Sequence, residues 1–487
     1  MTTKNQLEIT LSTEQPEKIE ADILIIAETG GKSEFQKYLK EAVKTTKFES
    51  KFNKTATIYC PISKTKPILL LGKGDNIDQE KTRQLANTII KTAKARKAKT
   101  VAVEFSKGLN DKSIKALTEG IVLGNYEFDK YKSEDKEDPK IPVKEVIILL
   151  KNSKNKKNLQ KIIQKTQIIC NNTNYARDLV NDNADTVNSL FFEAQAKEIA
   201  KLTNVKTKII EEKEMKRLGM NLLLAVSRGS EYTPKLIILE YKGNKASKDK
   251  TAIVGKGITF DSGGLNLKPA GYIETMKQDM GGAAAVIATI KAAAELKLKK
   301  NIIGVIAACE NIVDGKAYKP GDVFKAYSGK TVEILNTDAE GRLILADALA
   351  YTEKNIKPKT IIDIATLTGA ASVCLGSDVS PIMTKDEKLA KKLFDAGENT
   401  YERVWQLPLY DDYKDHIKSD IADIKNLGKS KGNAGTIIGG IFLQNFVEKT
   451  TWAHIDIAGS VWLDNPRSYS PKNASGVGVR LLIEFFS

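Results

Sequence analysis

Short apolar runs of strand length, alternating with stretches of helical period, constrain this chain more than any other feature. ADILIIA (21–27), ATIYCPI (56–62), PILLLG (67–72), TVAVEF (100–105) and KEVIILL (144–150) read as strands, with helix-like stretches such as QEKTRQLANTIIKTAKARK between some of them. Strands that alternate with helices imply an α/β domain. KNSKNKKNLQ (151–160) is polar and rich in lysine and asparagine, and marks a boundary region; IIQKTQIICNNTNYARDLV (162–180) reads as a connecting helix. The second part is richer in glycine. There KLIILEY (235–241), TAIVGKGITF (251–260), NIIGVIAAC (301–309), TVEIL (331–335), TIIDIATL (360–367) and HIDIAG (454–459) read as strands. MGGAAAVIATIKAAAELKL (280–298) and RLILADALAYTEK (342–354) read as helices. At 487 residues the chain is too long for one ordinary core. The expectation is an N-terminal α/β domain over 1–155, a connecting helix over 156–178 and a second α/β domain over 179–487. The second would have a mixed sheet flanked by helices, with ligands bound at the loops where strands end.

Composition narrows the class. No apolar run approaches the roughly 18 residues that span a bilayer, and MTTKNQLEITLSTEQPEK has no apolar core like that of a secretory signal. Cys60, Cys170, Cys309 and Cys374 lie far apart, with no CxxC spacing, which fits reduced thiols and a cytoplasmic protein. The net charge of +15 raises nucleic-acid binding as an alternative. Much of that excess is local, in Lys81 to Lys99 and Lys151 to Lys165, which contain no acid. Almost all of it is lysine without interleaved aromatics, the pattern of a solvated face.

NTDAEGRL (336–343) sets Asp338, Glu340 and Arg342 at alternate positions after the apolar run Val332–Leu335. If the chain is extended there, all three share one face. GKGITFDSGGLNLKP (255–269) and MKQDM (276–280) add Lys256, Asp261, Lys268 and Asp279. Carboxylates crowd together only where cations intervene or their pKa values rise. An oxygen-rich set of this kind suits a two-metal hydrolytic site, with ions roughly 3.5–4 Å apart. The chain has only two histidines, His416 and His454, so no HExxH or three-histidine zinc site is available. Any metal must be held by Asp and Glu, and a lysine amine could join them only if its pKa falls far enough to leave it neutral. The competing account of Asp338 and Glu340 is a solvated turn with Arg342 pairing one of them; glycine-rich DSGG and the unpaired acids favour chemistry.

With those residues in view, the sequence resembles the leucyl (cytosol) aminopeptidases, dinuclear metallo-exopeptidases. The resemblance rests on NTDAEGRL, a specific signature, and on KGITFDSGG, the lysine ending GLNLK, MKQDMGGAAAV, YKPGDV, DIATLTGA, WQLPLYDDY and HIDIAG, and runs from about Tyr175 to the end. It implies that Lys256, Asp261, Asp279 and Glu340 hold one divalent ion (Mn²⁺ or Zn²⁺). Asp261, Asp338 and Glu340 would hold a second. Lys268 and Arg342 would be the catalytic pair outside the ligand set, with the arginine holding a bicarbonate ion that relays a proton. Met276, Asn336, Thr366, Leu367, Gly369, Ala458 and Val461 would line the substrate site, favouring leucine-like N-terminal residues. The resemblance also implies peptide substrates, no membrane, and a homohexamer built as a dimer of trimers. One departure is ARDLVNDNADTVNS, which lacks the proline-rich continuation usual in the family.

Other motifs take simpler readings. SGKT (328–331) fails as a nucleotide loop because position 324, where a glycine is needed, is Phe; it reads as a tight turn before a strand. GKGDN (72–76) reads as a turn, GKSKGNAG (428–435) as a flexible loop that the resemblance places at the site's rim, and His454 and Asp456 as structural residues. Cys309 and Cys374 read as core fillers. The alternatives to a peptidase are a DNA-binding or regulatory role and a catalytically silent relative; the intact set of seven site residues argues against the latter.

Overall fold

The computed structural model describes residues 7–27, 33–105, 109–133, 141–429 and 433–487. The chain divides into two compact units, one of Met1–Asn171 with Pro466–Pro471, the other of Asn172–Asn465 with Lys472–Ser487. The division falls inside the helix Lys156–Asn181.

The first unit is built on a six-stranded sheet in the order Glu8–Ser12, Glu145–Leu149, Thr100–Glu104, Ile23–Ile26, Ile68–Leu71, Thr55–Ile58. All neighbours are parallel except the last pair. Parallel strands buried on both faces need continuous apolar runs rather than alternation, and ILII and ILLL supply them. Ile23 and Ile25 enter one core with helices Gln79–Ala95 and Asp111–Asn125, whereas Leu24 and Ile26 enter a second core with Phe35 and Leu39. The basic run Lys81 to Lys99 falls largely on the helix Gln79–Ala95 and is partly consumed there. Arg83 is buried against Glu119 and Glu80, and Lys94 pairs with Glu127.

The second unit holds an eight-stranded mixed sheet in the order Val404–Gln406, Ser380–Met383, Thr451–Asp456, Thr360–Ala365, Thr251–Asp261, Asn301–Asn311, Lys235–Lys242, Val205–Ile210. The four central strands are mutually parallel, so their carboxyl ends share one edge. Asp261 and Asn311 finish their strands there and are register partners. The helix Gly281–Leu296 lies close to this sheet because its opening residues lack bulk. A Cβ on Gly282 would sit 2.1 Å from the Ile364 carbonyl oxygen, and one on Gly255 would sit 2.7 Å from that of Gly282.

Two expectations fail. The stretch 336–340 is not extended. Asn336 Oδ1 accepts the Asp338 N–H at 2.8 Å, and the Asn336 carbonyl accepts from Ala339, which closes a turn before the helix Gly341–Tyr351. The strand before it is only Thr331–Glu333, in a separate three-stranded sheet. Cys374 is exposed rather than a core filler, because the helix Gly369–Leu375 buries only Ala371. SGKT forms the tight turn between Val323–Lys325 and Thr331–Glu333, with Gly329 at φ +99°. Residues 430–432 of GKSKGNAG lie outside the described residues. No described helix is long and apolar enough to cross a membrane.

Candidate metal centre

Strand ends and turns bring the acids together without any extended segment at 336–340. Asp261 ends its strand, and Gly263 and Gly264 then take φ of +86° and +64°, turning the chain back so that the Lys268 N–H reaches the Ser262 carbonyl. A side chain at Gly263 would meet Asp338 Oδ1 at 2.9 Å, so glycine keeps this approach open. Asp338 lies in the turn after Asn336, and Glu340 occupies the N-cap of Gly341–Tyr351. Ligand-type oxygens of Asp261, Asp338 and Glu340 all lie within 4.8 Å of one another.

Two lysines interleave with the acids. Lys256 Nζ lies 2.7 Å from Asp279 Oδ1 and 2.9 Å from Glu340 Oε1, and donates to the Thr366 carbonyl at 2.8 Å. Gly341 makes room for it, since a Cβ there would sit 2.5 Å from Lys256 Cε. Lys268 Nζ lies 3.0 Å from Asp261 Oδ2 and 2.5 Å from Asp338 Oδ1. Lys256 is 3% exposed and Lys268 15%, so the second ammonium is the one open to an incoming molecule.

Burial and mutual repulsion dominate the electrostatics. Burial, then Glu340, pushes the Asp261 carboxyl up to about 7, and burial pushes Asp279 well above the usual carboxylate range. For Glu340 burial acts the same way, but the Lys256 and Lys268 ammonium groups outweigh it and hold its pKa below the ordinary value. Burial would discharge both lysines; Asp279 and Glu340 around Lys256, and Asp261 and Glu340 near Lys268, raise their pKa values instead.

These residues fit divalent cations. The donors are hard oxygens, and the Lys256 ammonium among them can join the ligand set only by giving up a proton as a cation enters. Asp279 Oδ2 and Glu340 Oε2 are fully buried without a hydrogen-bond partner among the described residues. A buried, unpaired anionic oxygen is expensive, and a cation coordinated by it removes the cost. Asp338 Oδ1 lacks a well-directed hydrogen bond, and its partner is the Lys268 ammonium beside it, since charge attraction is less demanding of angle.

Arg342 stands in the first turn of its helix, 7% exposed, with Nη1 donating to the Asn426 carbonyl at 2.8 Å and Nε without an acceptor. Thr366 Oγ1 donates to Asp279 Oδ1 at 2.7 Å, which ties this residue to the centre. Val461 and Thr366 both face Gly281, since a Cβ there would meet their methyl groups at 2.5 and 3.6 Å. Leu367 and Ala458 are joined through one carboxylate, that of Asp456. Asn336 belongs to the Asp338 turn, Met276 is half-buried three residues before Asp279, and Gly369 is exposed at the start of its helix.

Three supporting residues had escaped the sequence reading. Asn311 donates to Asp261 Oδ1 at 2.8 Å and to the Thr337 carbonyl at 2.9 Å. Tyr318 donates to that same carbonyl at 2.7 Å. Asn426 accepts from Leu335 and donates to the Asn336 carbonyl, which fixes the turn from behind. The apolar strand NIIGVIAAC does continue through Glu310 to Asn311, and that extension was the one available signal. His454 is wholly buried and paired with Asp363, which also accepts from Trp452 at 2.7 Å. Burial lowers its pKa, but the Asp363 carboxylate prevails and raises it.

Comparison with known proteins identifies the family. Residues 174–483 match the cytosol aminopeptidase family, catalytic domain, and residues 27–135 match that family's N-terminal domain. A probable cytosol aminopeptidase of Protochlamydia amoebophila is 43% identical over 98% of this chain and 97% of its own. One from Geobacter sulfurreducens is 44% identical over 86% of this chain and 84% of its own. Among solved structures, a mutant of tomato leucine aminopeptidase superposes with a TM-score of 0.87 at 32% identity, covering 100% of this chain and 97% of its own. The bottromycin maturation enzyme BotP in complex with Mn superposes with a TM-score of 0.84 at 31% identity, over 96% and 99%. Neither the structure nor these likenesses offers support for nucleic-acid binding. The chain belongs to the cytosol aminopeptidase family, and is a metal-dependent peptidase that removes N-terminal residues.

Proposed function

We propose that the buried carboxylates hold two divalent cations, Mn²⁺ or Zn²⁺, and that the chain there releases N-terminal residues, leucine-like ones by preference, from short peptides. The observation that carries this reading is the pair of buried, unpartnered oxygens, Asp279 Oδ2 and Glu340 Oε2, beside the cluster of three carboxylates within 4.8 Å. Lys256, Asp261, Asp279 and Glu340 would serve one cation, and Asp261, Asp338 and Glu340 the other. Bound there, the cations supply Lewis acidity and a water of lowered pKa.

The remaining work falls to side chains. Lys268 presents a partly open ammonium to a carbonyl oxygen that gains charge as the tetrahedral intermediate forms, so it stabilises the transition state more than the ground state. Burial lowers the Arg342 pKa, yet a guanidinium stays charged at working pH. Its unpartnered Nε supports a role in holding bicarbonate, a planar oxyanion able to carry a proton. Val461, Thr366, Leu367 and Ala458, with Met276, Asn336 and Gly369, would form the substrate site; the methyl groups meeting at Gly281 supply the apolar wall that a leucine side chain needs.

A divalent cation held there would accept the lone pair of a free α-amine, which an acylated nitrogen cannot offer. Peptides with a free N-terminus are therefore expected to be cleaved and their N-acetylated counterparts to resist. Equal rates on the two, measured by product chromatography, remove the exopeptidase reading. Family membership also supports a cytoplasmic homohexamer with sites turned inwards; light scattering that gives a monomer at micromolar concentration would exclude the hexamer.

A further inference from the structure

Asp456 is completely buried and, among the described residues, has no cationic partner in hydrogen-bond reach, yet both its oxygens are used. Its Oδ1 accepts the N–H groups of Leu367 and Ala458, each at 3.1 Å, and its Oδ2 accepts the Thr368 hydroxyl at 2.7 Å. These donors come from two different loops, which follow the adjacent parallel strands Thr360–Ala365 and Thr451–Asp456. Thr368 carries the linkage further. Its Oγ1 accepts the Ala371 N–H at 3.2 Å, capping the helix Gly369–Leu375, and lies 3.1 Å from Thr436 Oγ1 in the helix Gly435–Gln444. One carboxylate therefore gathers three segments.

Those segments reach the metal centre at Thr366. Its hydroxyl bonds Asp279 and its carbonyl takes the Lys256 ammonium, two residues before the Thr368 contact. Across from it, Val461 belongs to the second loop and meets Thr366 over Gly281, two residues after Asp279. The position of the pocket wall and the seating of Asp279 are thus one mechanical unit. A buried carboxylate serving only stability could be satisfied by N–H groups of its own loop; this one spends two of its three bonds on the neighbouring loop.

We propose that Asp456 is a positioning residue that sets substrate selectivity. It holds the 366–369 loop so that the side-chain pocket has its shape while Thr366 stays on Asp279 and Lys256. This rests on the aminopeptidase reading above, and the test separates the two. Asp456→Asn keeps the Oδ1 acceptor but confronts the Thr368 hydroxyl with an amide donor, while Thr368→Val removes that hydroxyl at constant shape. With full-length, metal-saturated protein, kcat and KM are measured for leucyl and alanyl p-nitroanilides.

Both variants are expected to lose about tenfold or more of the leucyl-to-alanyl ratio in kcat/KM, the scale on which a misplaced apolar wall changes discrimination. Thr368→Ser, which restores the hydroxyl, is expected to recover most of that ratio. Uniform loss on both substrates, with the ratio within about twofold of wild type, would show a merely structural role and overturn the proposal. Should Asp456→Asn fail to fold, Thr368→Val decides alone. A wild-type chain inactive on both free-amine substrates would contradict the aminopeptidase reading itself; an active wild type with flat ratios in the variants contradicts only the role of Asp456.

Discussion

In the N-terminal unit the guanidinium of Arg83, 1% exposed, lies between the carboxylates of Glu119 and Glu80, and Tyr469 donates a further hydrogen bond to Glu80 at 2.9 Å. In the catalytic unit four acids and two lysines are packed together, and Asp279 Oδ2 and Glu340 Oε2 still find no hydrogen-bond partner among the described residues. The first cluster is closed, with its charges answered inside the fold. The second is open, with more anionic oxygen than the protein neutralises. Buried charge that is saturated serves the fold, and buried charge left incomplete marks a place where something from outside completes it.

The strongest way to break this contrast is at Lys268, which touches two of the acids but is read as acting on substrate. Lys268→Ala is expected to lower kcat by about 10²–10³-fold, the loss typical of one preorganised charge donor. Elemental analysis should still find about two cations per chain, as the two-metal arrangement requires. Loss of the metal in that variant would move Lys268 from the reacting groups into the set that holds the centre together.

The closed cluster should behave in the opposite way. Arg83→Ala leaves Glu119 buried without its ion-pair partner and is expected to cost about 3–5 kcal/mol of stability in denaturant unfolding. The kcat/KM of the molecules that remain folded should not change. A fall in kcat/KM comparable to that of Lys268→Ala would erase the distinction between the two units.

Asp347 offers the smallest and finest test, because it is a saturated acid inside the catalytic unit. Its Oδ2 accepts the Leu222 and Leu223 N–H groups and its Oδ1 that of Tyr327, at 2.8–3.0 Å. Burial nevertheless outweighs those bonds and pushes its pKa from 3.8 up to about 7. The folded state therefore binds this proton more tightly than the unfolded state, so this group's contribution to stability falls as pH rises through the window from about 4 to 7. In Asp347→Asn that component is absent. Calorimetry from pH 4 to 8 should show a Tm profile flatter by a few °C; an unaltered slope would mean that the carboxylate stays ionised throughout.

How far these features were legible in the sequence depends on distance along the chain. Most central strands of both units were visible as apolar runs, but the one read at 454–459 is Thr451–Asp456, three residues earlier, because Thr451, His454 and Asp456 break its apolar pattern. Glu8–Ser12, Val205–Ile210 and Val404–Gln406 were not, being edge strands that are short or half polar. The acids of the centre could be picked out by residue type and crowding, yet the extended geometry that would set Asp338, Glu340 and Arg342 on one face does not occur at 336–340. A side-chain hydrogen bond from Asn336, which no periodicity encodes, turns the chain there. The supports lay further out of reach. Asn311 meets Asp261 across 50 positions, Asn426 meets Arg342 across 84, and Asp456 meets Thr368 across 88. Contacts of that span arise from strand order, and strand order has no local signature.

The most direct measurement is hydrolysis of a leucyl amide before and after exhaustive chelation, with metal content followed by elemental analysis. Activity should disappear with the metal and return on addition of Mn²⁺ or Zn²⁺. Undiminished turnover by verifiably metal-free protein would contradict the central claim that the open carboxylate cluster is a seat for catalytic cations.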